Sequence, residues 1–201
     1  MAKLAPVSTS TPSRIVSLLA VLVISTTSAC NWSRTPLTVD PEFRPEEVEE
    51  IVLLPVIDAR PDRFDNVRIS RNVEDATLNL LRQRGYFAVA SDRFAVRPTG
   101  PINLNKESYE YLSTLAPADA RVFMVVQIER LDPEYDSTGE GYYARLSAAL
   151  VDREHGRVLW RDVASATSHL SGVLTVFARG SRQYEAAVNA ARALVETLPK
   201  G

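Results

Sequence analysis

The chain has 201 residues, with 23 basic and 25 acidic side chains and a formal net charge of −2. That balance argues against nucleic acid as a partner, and the length suits one domain plus a tether. A single cysteine rules out an internal disulfide, and a body of this size buries a core without one.

Lys3 and Arg14 flank the start of an apolar run from Ile15 to Ile24, and Thr27-Ser28-Ala29-Cys30 follows it. The run is too short to span a bilayer as a mature helix, so it reads as a cleaved export signal. Thr27 to Cys30 resembles the lipobox of bacterial lipoproteins, with threonine where that pattern usually has leucine. The resemblance implies that residues 1–29 are removed and that Cys30 becomes an acylated, palmitate-bearing N-terminus. More than one acyl chain makes such anchoring stable. Asn31 replaces the aspartate that favours inner-membrane retention in Gram-negative sorting. This implies a cell-envelope protein held at the outer membrane and facing the periplasm.

Pro36, Pro41 and Pro45 stand among polar residues, so 30–48 is expected to be the lipid anchor and a flexible linker, with the domain at 49–201. Ile51 to Ile57 is short, apolar and β-branched, which predicts a buried strand despite Pro55. Ala59 to Asn66 reads as a loop. Ile69, Val73, Ala76, Leu80 and Leu81 recur at helical spacing, and Gly85 is placed to stop that helix. Tyr86 to Ala90 is a second strand, and Asn105 or Ser108 caps a second helix that runs to about Leu115. Ala120 to Leu131 is the strongest strand. Asp132 to Gly141 reads as an acidic loop. Gly141 to Val151 alternates as a strand, Asp152 to Gly156 is a turn, and Arg157 to Ser171 returns antiparallel, interrupted by Arg161 and Asp162. Tyr184, Ala187, Val188, Ala191, Val195 and Leu198 form the stripe of a closing helix.

This order predicts an α/β domain of three layers, with a mixed five-stranded sheet in the order 2-1-3-4-5 and helices on both faces. Three stretches carry a family resemblance: the first strand, Leu115-Ala116-Pro117-Ala118-Asp119-Ala120-Arg121, and the hairpin from Ala148 through Asp152 and Gly156 to Trp160. Together they resemble envelope lipoproteins related to the TolB N-terminal domain. These include a family of small lipoproteins of unassigned activity, the curli-secretion lipoprotein and the penicillin-binding-protein activator lipoproteins. The resemblance covers roughly Ile51 to Ser171. It implies a non-enzymatic role in binding or scaffolding another envelope protein or complex, and it carries no catalytic residue onto this chain. Two alternatives are an auxiliary lipoprotein of a lipid-trafficking ABC transporter and an oligomeric secretion lipoprotein of curli-exporter type.

The residues supply little chemistry beside this. His155 and His169 have no cysteine partner for zinc, and both read as surface or structural residues. Asp132, Glu134, Asp136 and Glu140 fail the calcium-loop pattern, because Ser137 stands where glycine is needed and Tyr143 where glutamate is. No nucleophile elbow or phosphate loop is present, so neither a catalytic nor a metal site nor a cofactor is expected. In a 2-1-3 sheet the loops after strands 1 and 3 flank the switch point, where open sheets bind ligands. Arg60 and Arg63 on one loop, with Asp132, Glu134 and Asp136 on the other, are therefore expected to form a partner surface.

Overall fold

The computed structural model describes residues 38–60, 66–136, 139–169 and 179–201. In chain order these hold β1 (Thr38–Val39), β2 (Ile51–Leu53), β3 (Ile57–Asp58), α1 (Asn66–Gln83), β4 (Ala88–Ala90), α2 (Tyr109–Leu115), β5 (Val122–Asp136), β6 (Gly139–Asp152), β7 (Arg157–His169) and α3 (Arg179–Val195). All strands belong to one mixed sheet, with the path β1-β7-β6-β5-β2-β4 and β3 pairing with β5. β2 runs parallel to β4 and β5, and β5, β6 and β7 form an antiparallel meander.

The expected strands keep their order, as β4-β2-β5-β6-β7, but the five-strand sheet needs correction. The five expected strands are β2, β4, β5, β6 and β7, and the sheet adds two. Pro55 divides the run Ile51 to Ile57 into β2 and β3, because proline cannot donate to the ladder. Leu54 N–H still bonds Met124 O at 2.9 Å, and Ala59 N–H bonds Ile128 O at 3.0 Å, so the chain steps forward along β5 in two pieces. The other addition is β1. Thr38 pairs with Arg161 and Val39 with Trp160, and Asp40 N–H donates to Leu159 O at 2.9 Å. Phe43 is buried, and Arg157 pairs with Glu42 at 2.7 Å. The expected linker 30–48 is therefore sheet edge and packed chain from Thr38 onward. Its first part, 30–37, and the expected signal 1–29 lie outside the described residues.

The acidic loop also needs correction. β5 continues to Asp136 and β6 begins at Gly139, so Asp132 to Gly141 is the far end of a long hairpin. Backbone pairing along two strands satisfies every second donor regardless of side-chain polarity, so a charged arm is stable as strand. β7 likewise runs unbroken through Arg161 and Asp162. Asp162 is buried, and it accepts from Val163 N–H and from the Thr197 hydroxyl at 2.6 Å.

Helices cover both sheet faces. On one, Ile69, Val73 and Leu81 of α1 and Ala187, Ala191 and Leu194 of α3 pack on Met124, Val126, Leu146, Ala148, Leu150 and Trp160. On the other, Leu112 and Leu115 of α2, with Ile102 and Leu104, cover Phe123, Val125, Ala149 and Val151. Small residues on α3 let the helix approach the strands closely. Ser108 caps α2, its hydroxyl accepting from Tyr111 N–H at 3.3 Å. Gly85 ends the α1 turn with φ +101°, and Tyr86 N–H reaches back to Leu81 O at 3.1 Å, a bond that needs a left-handed residue. Among the described residues no helix is long and apolar enough to cross a membrane.

Candidate functional site

The switch point between β2 and β5 is filled rather than open. β3 lies along the middle of β5, with Ile57 opposite Gln127 and Asp58 opposite Ile128. Arg60 is drawn inward with it and is 8% exposed. Its guanidinium donates to Asp58 through Nε at 2.8 Å and through a terminal nitrogen at 2.6 Å. Arg60 is thus a buried partner of Asp58 and not the exposed cation expected. Arg63 lies outside the described residues. Asp132 pairs with Arg130 at 2.6 Å, and Glu134 is half-buried. Only the backbone of Asp136 is described, as the last residue of β5. Among the described residues, Asp58 with Arg60 and Arg130 with Asp132 form local pairs two residues apart in sequence.

The outward face of the β5–β6 arm is polar and ordered by its own contacts. Arg145 donates to Glu129 at 2.7 Å, the Arg130 guanidinium sits 5.2 Å from the Tyr143 ring centre, and Tyr143 bonds Ser165 Oγ at 2.8 Å. Partner contacts in high dielectric are individually weak, but such a network holds long side chains in one arrangement. Lower on the same face, Gln127 clamps the chain that precedes α2. Its carboxamide accepts from Ile102 N–H and donates to Ile102 O, both at 2.8 Å.

The open cleft sits beside the filled switch point, at the C-terminal ends of β2 and β4. It encloses about 690 Å³ between Pro55, Val56 and Ile57 on one wall, Ser70, Arg71 and Glu74 of α1 on another, and Phe94 and Arg97 on a third. Burial, and next the neighbouring Asp75, raise the Glu74 pKa, while the Val56 backbone and Arg71 pull it down. Sequence reasoning missed Glu74. The signal was its place four residues after Ser70, which puts both on the helix face turned to the strand ends.

A second, smaller cleft of about 280 Å³ lies at the opposite end of the parallel strands. It runs between the Phe43–Glu50 segment and the β6–β7 turn. His155 bonds Asp152 there, Nδ1 to Oδ2 at 2.6 Å, and its own N–H reaches Asp152 Oδ1 at 3.1 Å. Both bonds fold the turn that Gly156 closes at φ +64°, so the pair is turn architecture. Among the described residues no group of three His, Cys, Asp or Glu side chains is placed to share a metal ion. Cys30 lies outside the described residues, as does the His169 side chain.

No protein-family model matches this chain, and no curated protein matches it. Among solved structures the fold is similar to that of the PelC dodecamer from Paraburkholderia phytofirmans. The two share 13% identity over 83% of this chain and 98% of that one, at a TM-score of 0.51. Protein XCC0632 from Xanthomonas campestris aligns at 12% identity over 82% of this chain and 91% of its own, with TM-score 0.48. Lipoprotein GNA1162 from Neisseria meningitidis aligns at 17% over 70% and 98%, with TM-score 0.43. At these identities the PelC likeness speaks for a shared fold.

Proposed function

We propose that this chain is a lipid-anchored, non-enzymatic protein of the cell envelope that binds or scaffolds another envelope protein or complex. The observation that carries the reading is Thr27-Ser28-Ala29-Cys30 directly after the apolar run Ile15 to Ile24. On this reading Cys30 is acylated, the body faces the periplasm from the outer membrane, and the relationship to the TolB N-terminal domain is one of descent. The partner surface is the polar arm face around Arg130, Asp132 and Arg145, which keeps one of the expected acidic residues and replaces Arg60. Exposed charges of this kind govern encounter and register more than stability.

Fractionation of cells carrying Cys30→Ala tests the anchor. The variant moves out of the membrane fraction, and the wild-type N-terminal peptide carries acyl mass. Wild-type partitioning of the variant, with no acyl mass, refutes the anchor. Pull-down from detergent-solubilised membranes, repeated with Asp132→Lys and Arg145→Glu, tests the surface. Unchanged capture by both variants removes the arm face from the reading.

The PelC fold likeness favours a second reading, in which the partner is further copies of the same chain. PelC is a dodecamer. Native mass measurement of the detergent-solubilised protein separates the two readings: a closed ring gives one multiple of the chain mass, and a scaffold for another protein gives a single copy or a mixed complex.

A further inference from the structure

We infer that the segment from Thr38 to Val48 is a docked strap that holds the β1–β7 edge of the sheet next to a lipid surface. This rests on the reading of Cys30 as the anchor and adds which side of the body meets the bilayer. The strap is held by three kinds of contact. β1 pairs with β7, Asp40 N–H bonds Leu159 O, and Phe43 is 6% exposed against the core. Arg157 then bridges Asp40 at 3.8 Å and Glu42 at 2.7 Å.

Docking changes the geometry of the tether. From Cys30 to Thr38 is eight residue steps, which cannot stretch beyond about 29 Å at 3.6 Å each. A tether running free to Glu49 has nineteen steps and a limit of about 68 Å by the same measure. The strap therefore more than halves the reach. β1 is also one extreme of the sheet. Five strand spacings separate it from β4 along the path, about 24 Å at 4.7–4.9 Å each. Relaxed, eight steps span about 16 Å, less than the breadth of the sheet, so the tether favours the β1–β7 edge towards the headgroups and Phe87, 64% exposed beside β4, away from them.

Charge does not draw the strap to the lipid. Arg157 is taken by Asp40 and Glu42, Arg161 donates to Glu107 O at 2.6 Å, and the strap itself carries Asp40, Glu42, Glu46 and Glu47 against Arg44. Anionic lipid therefore repels this edge and does not recruit it, an effect that salt screens.

The test uses the full processed protein in vesicles that carry a headgroup energy acceptor. Cys30 is the only native cysteine, and acylation blocks its thiol, so Pro41→Cys and Phe87→Cys each take a single donor dye. The Pro41 label is expected to transfer about twofold more strongly than the Phe87 label, given a separation of the size set by the sheet. Phe43→Ala and the milder Glu42→Lys release the strap, lower transfer from Pro41 and bring the two labels towards equality, while circular dichroism stays native. Loss of exchange protection at the Asp40 amide reports the release independently. Equal transfer from both labels in the unreleased protein, or unchanged transfer after the Asp40 amide has lost protection, overturns the strap. Absence of acyl mass on the Cys30 peptide overturns the anchor reading itself, and the strap's membrane role with it. Doubling the anionic lipid content with no rise in transfer is the expected control, and a rise in transfer overturns tether-only contact.

Discussion

Arg153 serves four backbone carbonyls at once. Its guanidinium donates to Ser113 at 2.5 Å, Ala116 at 2.9 Å, Ala120 at 3.2 Å and Pro117, and it lies 5.5 Å from the Phe123 ring centre. These are carbonyls that the end of α2 and the following turn leave without helical partners, so a single side chain from the β6–β7 turn closes that helix. Arg153→Ala is expected to cost at least about 2 kcal/mol in denaturant unfolding, since charged hydrogen bonds are worth about 1.5–3 kcal/mol each. Arg153→Lys recovers only part of this because an ammonium lacks the planar fork. Glu74 makes a pH prediction. The folded state holds its proton more tightly than the unfolded state does, so the stability it contributes is full below the ordinary carboxylate pKa of 4.5 and is lost as pH rises through the raised value. Glu74→Gln is expected to flatten the stability profile over that window and to leave stability at pH 7 equal or higher, read by urea unfolding across pH. Tyr86 is the opposite extreme: burial pushes its phenol to about 12 while its hydroxyl donates to Pro199 O at 2.8 Å.

The β6–β7 hairpin is the element that the sequence announced most clearly, and each of its distinctive residues has a folding task. Asp152 and Gly156 form the turn, and Trp160 is 1% exposed against the α3 side of the sheet. The register shifts between Leu150 and Val151 because the strand after the turn carries one extra residue, a bulge that aims Trp160 inward. Trp160→Ala is expected to cost about 3–5 kcal/mol, measured as a shift in the denaturation midpoint. The hairpin, α1 with its Gly85 stop, and the Ser108 cap were legible because their signals are local. Residues that had to be placed by tertiary contact were not. Thr38 and Val39 look like linker until β7 offers its edge, and Pro55 hides two strands inside one apolar run. Arg60 reads as exposed until β3 fills the switch point, and Asp132 reads as loop because side-chain polarity conceals a paired backbone. The candidate site was therefore less legible than the fold.

At the scale of the whole molecule, the first and the last described segments are both fastened to the body of the fold, the first through the pairing of β1 with β7. The last residues return to the α1–β4 turn: Arg84 bonds Leu198 O, and Gly201 N–H bonds Arg84 O at 3.1 Å. A Cβ at Gly85 would stand 2.7 Å from Gly201 O, and the residue has positive φ. Gly85→Ala is thus expected to cost about 1–2 kcal/mol from the left-handed backbone alone, and more if the C-terminal residues are displaced, seen as a lower melting temperature. Both sheet edges carry guards as well. β1 covers β7 at Trp160 and Arg161, and on the other side the Arg82 guanidinium donates to Ala88 O at 2.9 and 3.2 Å, the carbonyl that β4 turns away from β2. An edge of this kind is a template for strand addition, and a charge laid over it blocks the approach. If the protein is confined to a membrane plane, neighbours collide far more often than in free solution, and an unguarded β4 would let each chain extend its neighbour's sheet. Arg82 then works as a spacer between crowded molecules. Arg82→Ala is expected to leave the monomer folded yet make it polymerise on vesicles at surface densities where the parent stays dispersed, as thioflavin fluorescence and electron microscopy would record.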